Sequence, residues 1–222
     1  MDSSRIITLE SSDELIKDIE THFKLYAGPG SGKTRFLINH IKNVISNSKR
    51  LTQSRKIACI TYTNIGVDTI NKRLDNAINE VEVSTIHSFL YRHVVKPYLW
   101  VINDEYSIPL SKIDGHDEII PTYSIMEEWL QRTSQQYVRD YTKLKQELLT
   151  LRWSVQDGEI NLKFKYPSTL MIRNDSLIEY KKVCWEKALI FHDDILYLSY
   201  KILLENSRIL EILRAKFPYI FV

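Results

Sequence analysis

One short segment, Ala27–Thr34, constrains the fold of this 222-residue chain more than any other feature. It has the sequence Ala-Gly-Pro-Gly-Ser-Gly-Lys-Thr, which is the pattern Gly-x4-Gly-Lys-Ser/Thr with alanine at the first position. Glycines let backbone N–H groups converge on phosphate oxygens without Cβ clashes, and a helix that begins at Lys33 adds the positive end of its dipole. The sequence therefore predicts a strand, a phosphate-binding loop and a helix in succession.

Two side chains of this loop have predicted roles toward a nucleoside triphosphate. Lys33 is predicted to neutralise the β- and γ-phosphates, and the Thr34 hydroxyl is predicted to ligate Mg²⁺. ATP and Mg²⁺ are thus the predicted cofactors, and Lys33 and Thr34 the predicted catalytic residues. The alternative is a glycine-rich helix entry with an ordinary surface lysine. The predicted phosphate-binding residues of the loop are Ala27, Gly28, Pro29, Gly30, Ser31, Gly32, Lys33 and Thr34.

Residues 1–100 alternate short β-like runs with amphipathic helical stretches, which predicts an α/β fold with a parallel sheet and crossover helices. The predicted strands are Phe23–Tyr26, Lys56–Tyr62 and Val81–Ile86. Asn64 is predicted to cap the helix that follows the second strand. From Trp100 to Lys187 the sequence changes to polar helical stretches, 124–133 and 135–151, which predicts a helical insertion.

The domain organisation follows from these changes in pattern. We predict a first part of the sheet domain at residues 1–99, an inserted helical subdomain at 100–187, and a returning segment at 188–222. The last four residues are apolar and follow Pro218, so we expect a buried strand there. Since domain boundaries usually fall in polar linkers, we also expect the natural polypeptide to continue past Val222.

Composition excludes several classes of protein. The net charge is only +2, so the overall charge does not indicate a polyanion or membrane partner. No apolar run approaches the roughly 18–20 residues that cross a bilayer, and the start of the chain lacks a secretory signal, so we predict a cytoplasmic protein without a membrane partner. Cys59 and Cys184 are far apart and lack further ligands at metal spacing, which argues against a disulfide framework or a zinc module.

Four further segments carry a resemblance to a known family. Thr61-Tyr62-Thr63-Asn64 and Ser84-Thr85-Ile86-His87-Ser88-Phe89 resemble the Thr-Phe-Thr-Asn and Thr-Phe-His-Ser-Phe motifs of UvrD/Rep-type superfamily 1 DNA helicases. Lys33-Thr34-Arg35 is similar to that family's Gly-Lys-Thr-Arg, and Phe191–Leu196 looks like its Phe-x-Asp-Leu-Leu segment. The resemblance covers residues 22–89 and 188–222, in the order that the family has them.

The resemblance implies a RecA-like P-loop NTPase sheet with an inserted helical subdomain, and an ATP-dependent helicase or translocase on single-stranded DNA. It adds Arg35 to the predicted phosphate-binding residues. It also implies a second RecA-like domain, supplied in cis or in trans, without which the isolated chain is expected to be inactive. The DNA-binding residues that it implies are Tyr62, Thr63, Asn64, Thr85, His87, Ser88 and Phe89.

Simpler interpretations of those DNA-binding residues stay open. Tyr62 is alternatively a core aromatic at a strand end, Asn64 only a helix cap, and Phe89 a buried ring. His87 is alternatively a cap or a satisfied polar residue at the start of a helix.

The sequence departs from the family in several places. No glutamine precedes the phosphate loop where the family reads adenine, and a helix start at Ser11–Leu15 is predicted there instead. Ile65-Gly66 stands where the family prefers Lys-Ala. No acidic pair follows the last strand, although Ala188–Asp194 is an alternative acidic strand, for which helix capping by Asp193 is the simpler explanation. The alternative functions are a small P-loop kinase and a nucleotide-gated interaction module that does not hydrolyse ATP.

Overall fold

A computed structural model describes residues 6–113, 120–156 and 158–222 of the chain. The chain divides into two compact units. The first unit comprises the residues up to Ile86 together with Glu211–Val222, and the second unit comprises His87–Leu210. The domain boundaries predicted at 99/100 and 187/188 stay a prediction.

The helices and strands follow one another along the chain, with short 3-10 and π turns between several of them. In order they are α1 (Lys33–Asn47), β1 (Ile57–Thr61), α2 (Asn64–Leu74), β2 (Val81–Thr85), α3 (Ile86–Leu90), α4 (Lys96–Tyr98), α5 (Asn103–Tyr106), α6 (Tyr123–Arg132), α7 (Tyr141–Leu148), β3 (Leu151–Gln156), β4 (Glu159–Phe164), α8 (Leu177–Trp185), α9 (Asp194–Glu205), α10 (Ser207–Lys216) and β5 (Tyr219–Phe221).

The first unit contains a small parallel sheet with the strand order β2-β1-β5. Ile57 of β1 lies opposite Val81 on one side and Tyr219 on the other. The first four residues of β1 are buried, as expected for a central parallel strand covered on both faces. The mixed α/β fold is therefore confirmed, while its RecA-like character stays a prediction.

The core of the first unit forms between helix α1 and this sheet. Ile41 and Val44 of α1 are fully buried and pack with Ile57 and Cys59 of β1. Burial raises the pKa of the Cys59 thiol to about 11, so the thiol stays protonated near neutral pH. The predicted strands at 56–62, 81–86 and the end of the chain are thus found as β1, β2 and β5.

Two predicted elements in front of the phosphate loop are wrong. Phe23–Tyr26 does not form a strand, and all four of its residues are exposed. Ser11–Leu15 forms a turn, closed by the Glu14 amide donating to the Ser11 carbonyl over 3.2 Å, and does not begin a helix. An apolar run becomes a strand only where a neighbour pairs with its backbone, and the described residues provide no such neighbour for Phe23–Tyr26.

The second unit is mostly helical but also contains a β-hairpin that was not among the predicted elements. Strands β3 and β4 pair antiparallel, with Leu151 opposite Phe164. Gly158 in the connection has φ +84°, a conformation that favours glycine. The helix predicted at 135–151 is therefore shorter, since α7 ends at Leu148. Among the described residues no helix is both long and apolar enough to cross a membrane.

Candidate nucleotide and DNA site

The predicted phosphate loop leads directly into helix α1, as its sequence requires. Gly30 and Gly32 have φ values of 75° and 83°, and Gly32 is the residue immediately before the helix. A Cβ on Gly32 would also lie 2.9 Å from the Cβ of Ser12. Glycine is thus needed at position 32 both for its backbone conformation and for the close approach of the turn at Ser12.

Lys33 is the first residue of α1, and its ammonium folds back over the loop. Its Nζ donates to the carbonyl oxygens of Ala27 and Gly28 over 2.7 and 2.8 Å. The Ser31 hydroxyl donates to the Gly28 carbonyl over 2.7 Å. The loop is exposed, and Thr34 behind it is half-buried. The cation therefore lies where the loop backbone and the start of a helix would receive a phosphate group.

Arg35 meets a partner that the sequence did not reveal. Its Nε and Nη2 donate to the two carboxylate oxygens of Asp13 over 3.0 and 2.8 Å. Asn39, one turn later on α1, donates to the same carboxylate over 3.0 Å. The pair is exposed and contributes little to stability, but it holds the turn at Ser12 beside the phosphate loop. No local sequence signal could reveal a contact between residues so far apart in the chain.

The carboxyl end of β1 presents an aromatic ring to solvent. Tyr62 follows the strand and is 83% exposed, so the alternative of a core aromatic is wrong. Thr63 caps helix α2, because its hydroxyl accepts the Gly66 amide over 3.1 Å. The prediction that Asn64 is the cap is therefore wrong, since Asn64 is the first helical residue and its exposed side chain makes no such bond.

Gly66 explains one departure from the family pattern. A Cβ at this position would lie 2.5 Å from the Thr61 hydroxyl and 3.3 Å from the Thr63 hydroxyl. The close packing of the β1 end against the start of α2 therefore favours glycine at position 66, where the resemblance implies alanine.

The carboxyl end of β2 differs from that of β1. Thr85 pairs with Thr61 in the sheet, so the two strand ends are neighbours. His87 and Phe89 of helix α3 are buried in the second unit, where the His87 ring stacks on His192 at 3.5 Å and the Phe89 ring lies 4.9 Å from His93. Phe89 is thus a buried ring, as its alternative interpretation expects. The DNA contacts of Thr85, His87, Ser88 and Phe89 stay predictions.

A cavity in the first unit brings the phosphate loop and the β1 end together. Its volume is about 1480 Å³, and it is lined by Lys33 and Thr34 as well as by Tyr62 and Thr63. Carboxyl ends of parallel strands are where ligands bind in open α/β sheets. Of the predicted site residues, Lys33 and Thr34 of the loop region and Tyr62 and Thr63 of the β1 end thus line one cavity, whereas residues 27–32 and Asn64 do not line it.

The alternative acidic strand at Ala188–Asp194 does not form. Asp194 is the first residue of helix α9 and is completely buried. Its carboxylate accepts the Lys181 ammonium and the indole N–H groups of Trp153 and Trp185, each at 2.8 Å. The Asp193 side chain makes no capping bond, so that explanation is also wrong. Asp194 anchors the second unit and is not available to a metal, and no group of three or more His, Cys, Asp or Glu in the described ranges is arranged to hold one.

One family model and several known proteins match this chain over most of its length. The family model described as UvrD/REP helicase N-terminal domain matches residues 10–222. The Gabija protein GajB of Bacillus cereus strain HuB5-5 is 27% identical over 246 residues, which cover 88% of this chain and 34% of that protein. DNA helicase II of Rickettsia typhi is 23% identical over 211 residues, covering 89% of this chain and 30% of that protein. The chain thus spans about a third of the length of these curated relatives.

Proposed function

The chain belongs to the UvrD/REP helicase N-terminal domain family, and on that premise we propose that it is the ATP-binding portion of an ATP-dependent helicase or translocase that acts on single-stranded DNA. One observation carries the proposal. Lys33 and Thr34 line the same cavity as Tyr62 and Thr63 at the exposed end of β1, so a change at the nucleotide can act on a DNA contact in that cavity.

The loop residues suit the polyphosphate of a nucleotide. Glycines at positions 28, 30 and 32 leave the loop backbone accessible, and Lys33 provides the compensating positive charge. For Mg²⁺ the Thr34 hydroxyl would be the protein ligand of the loop, since this ion prefers oxygen ligands. The bound ion would supply charge neutralisation on the phosphates during hydrolysis.

Hydrolysis also needs a carboxylate that orients the attacking water and a cation that stabilises the transition state. Asp194, the buried carboxylate of the alternative acidic segment Ala188–Asp194, is fully engaged in the second unit. We therefore propose that these groups come from other parts of a longer protein, including a second RecA-like domain in cis or in trans. The 222-residue chain is then expected to bind ATP and to hydrolyse it negligibly.

The proposed DNA contact centres on the end of β1. Stacking of a base on an aromatic ring contributes about 1–3 kcal/mol and does not depend on the base sequence. Tyr62 has the exposure that such stacking needs. Thr63 and Asn64 are exposed beside it and can bond to phosphate oxygens.

The test compares two lysine variants in the longer protein. Lys33→Ala removes the ammonium of the phosphate loop, whereas Lys42→Ala removes an exposed ammonium from the same helix. A charge-assisted bond is worth about 1.5–3 kcal/mol, so Lys33→Ala is expected to weaken ATP binding by about ten- to a hundredfold. It should also abolish ATP hydrolysis stimulated by single-stranded DNA, while Lys42→Ala keeps both. ATP hydrolysis at the wild-type rate in Lys33→Ala would refute the assignment of the nucleotide site. If single-stranded DNA does not stimulate ATP hydrolysis by the wild-type longer protein, the proposed helicase or translocase function is refuted.

A further inference from the structure

A small polar cluster lies beside the phosphate loop, outside the cavity that Lys33 lines. It joins the turn at Ser12 to the first two turns of helix α1. That turn packs closely against the loop, since a Cβ on Gly32 would lie 2.9 Å from the Cβ of Ser12. We refer to the members of the cluster, Asp13, Arg35 and Asn39, as the flanking cluster.

The hydrogen-bonding groups of the flanking cluster are largely used within the cluster. The Oδ1 of Asp13 accepts Arg35 Nε and Asn39 Nδ2, each over 3.0 Å, and its Oδ2 accepts Arg35 Nη2 over 2.8 Å. Asn39 Nδ2 also donates to the Ser12 carbonyl over 3.3 Å. A carboxylate has about four acceptor positions, so about one on Asp13 and the outer N–H groups of Arg35 are left for a ligand.

The flanking cluster is also open to solvent. The side chains of Arg35 and Asp13 are 64% and 54% exposed, so water reaches both members of the ion pair. A site discriminates strongly between two ligands when the wrong ligand leaves a buried donor or acceptor unpaired. Where water can pair with those groups instead, the same mismatch costs little. The flanking cluster therefore imposes only a small penalty on a ligand whose polar edge differs.

The donor and the acceptor of the ion pair match more than one nucleobase. Adenine has the acceptor N7 beside its N6 amino donor, and guanine has the acceptor O6 beside its N1–H donor. Arg35 can donate to either acceptor, and the remaining position on Asp13 can accept either donor. Because both side chains are exposed, they can adjust to either order of donor and acceptor. The ion pair thus offers a base a contact without distinguishing the two purines.

The place of the flanking cluster fits the nucleoside end of a bound nucleotide. Lys33 and Thr34 line the cavity at the end of β1, and the proposed function has the reacting γ-phosphate on that side. The sugar and the base then extend away from the cavity, toward the side where Ser12 packs against Gly32. The flanking cluster lies on this side, because Asp13 belongs to the same turn as Ser12.

We propose that this nucleotide site recognises the triphosphate and not the base, so that it binds GTP as well as ATP. The inference rests on the proposed function, because it concerns the same phosphate loop. The charge of Lys33 and the start of helix α1 act on the phosphates, which the two nucleotides share. The base meets an exposed ion pair that already satisfies itself. The substrate class is therefore purine nucleoside triphosphates.

Asp13 then acts on the loop and not on the base, as a positioning residue. Its hydrogen bonds to Arg35 and Asn39 hold the turn at Ser12 against Gly32, the residue immediately before helix α1. Without the carboxylate the turn is released, and more entropy is lost when a ligand orders the loop. Every triphosphate should then bind more weakly. A residue that reads adenine would behave differently, because its loss would weaken ATP and leave GTP unchanged.

Competition binding to the 222-residue chain measures the selectivity for the base. ATP, GTP and inorganic tripolyphosphate each displace a ribose-labelled fluorescent ATP analogue in the presence of Mg²⁺, which gives three dissociation constants. We expect those of ATP and GTP to agree within about threefold, and an ATP preference of about tenfold or more would overturn the proposal. If neither nucleotide binds, or if Lys33→Ala binds both as the wild type does, the proposed function fails and this inference fails with it. An ATP preference that Lys33→Ala does not change overturns the inference alone.

Variants of two acidic residues separate positioning from reading of the base. Asp13→Ala should weaken ATP, GTP and tripolyphosphate by the same factor, about three- to tenfold, and Asp13→Glu should recover most of that loss. Glu10→Ala removes an exposed carboxylate from the same segment and should leave all three affinities unchanged. The melting temperature of Asp13→Ala should stay within about 1 °C of the wild type, because an exposed ion pair contributes little to stability. Loss of affinity for ATP alone, or no loss for any of the three ligands, would overturn the proposal.

Discussion

Removal of the Asp194 carboxylate should strongly destabilise the second unit, because this group is a buried charge that joins several elements. The carboxylate is completely buried and accepts four donors: the Lys181 ammonium, the indoles of Trp153 and Trp185, and the Phe191 amide at 3.1 Å. These donors come from strand β3, helix α8 and the turn before α9. One side chain thus links segments that are distant in the sequence.

The expected magnitude follows from the burial of its partners. Lys181 is only 3% exposed, so Asp194→Ala leaves a buried ammonium without its counter-charge. Breaking a buried ion pair from one side costs about 3–5 kcal/mol, and each indole N–H left unsatisfied adds to that loss. Since whole domains have stabilities of about 5–15 kcal/mol, Asp194→Ala should lose at least about 3 kcal/mol, a large part of the total.

Urea denaturation, monitored by tryptophan fluorescence, measures the loss of free energy of unfolding in the second unit. The four tryptophans of the chain, at positions 100, 129, 153 and 185, all lie in the second unit, so their fluorescence does not report on the first. The matched control is Asp193→Ala. Asp193 pairs with Arg152 over 3.8 Å on the surface, so its removal should change the free energy of unfolding by less than about 0.5 kcal/mol.

A double variant separates the charge from the shape of the site. Lys181→Met with Asp194→Asn removes both charges at once and should recover most of the stability lost by Asp194→Asn alone, because a buried ion pair is often replaceable by neutral residues. The reasoning is refuted if the free energy of unfolding of Asp194→Ala lies within about 1 kcal/mol of the wild-type value. It is also refuted if the double variant is no more stable than Asp194→Asn.

Three further predictions concern the first unit. Tyr62→Ala in the longer protein should weaken binding of single-stranded DNA by about five- to a hundredfold, measured by fluorescence anisotropy, while Tyr62→Phe keeps the affinity. Gly66→Ala should lower the thermal stability instead of adding the roughly 0.5–1 kcal/mol that alanine usually contributes in a helix, because its Cβ would meet the Thr61 hydroxyl at 2.5 Å. Burial lowers the pKa of His40 below its ordinary 6.5, so the unfolded chain binds more protons and stability should fall as the pH drops below 6.5. His40→Phe should remove this part of the pH dependence.

Each of these three predictions has an outcome that contradicts it. For DNA binding it is an unchanged affinity in Tyr62→Ala. For Gly66 it is a gain in melting temperature in the wild-type background, since a gain is expected only together with Thr61→Ala, which removes the interfering hydroxyl. The His40 prediction is contradicted if the free energy of unfolding falls equally steeply between about pH 6.5 and pH 5 in the wild type and in His40→Phe. Unfolding is followed by far-UV circular dichroism.

The β3–β4 hairpin shows which signals were present in the sequence. Leu151, Trp153 and Val155 alternate with polar residues, a glycine-containing turn follows, and Ile160, Leu162 and Phe164 alternate again. That period of two predicts a hairpin, but helix-forming residues on its amino-terminal side obscured it. By contrast, no pattern near Asp194 or Asp13 indicates which donors their carboxylates meet.

The amino-acid sequence alone determined the glycine-rich loop before α1, helix α1 itself and the strands β1, β2 and β5, because these depend on local backbone preferences and on the spacing of apolar residues. Only the tertiary structure decided that Phe23–Tyr26 stays unpaired, that Asp194 is a buried anchor instead of a metal ligand, and that Tyr62 is exposed whereas Phe89 is buried. Those outcomes depend on which distant segments pack together. The burial and the partners of a residue are therefore set by tertiary contacts and not by its neighbours along the chain.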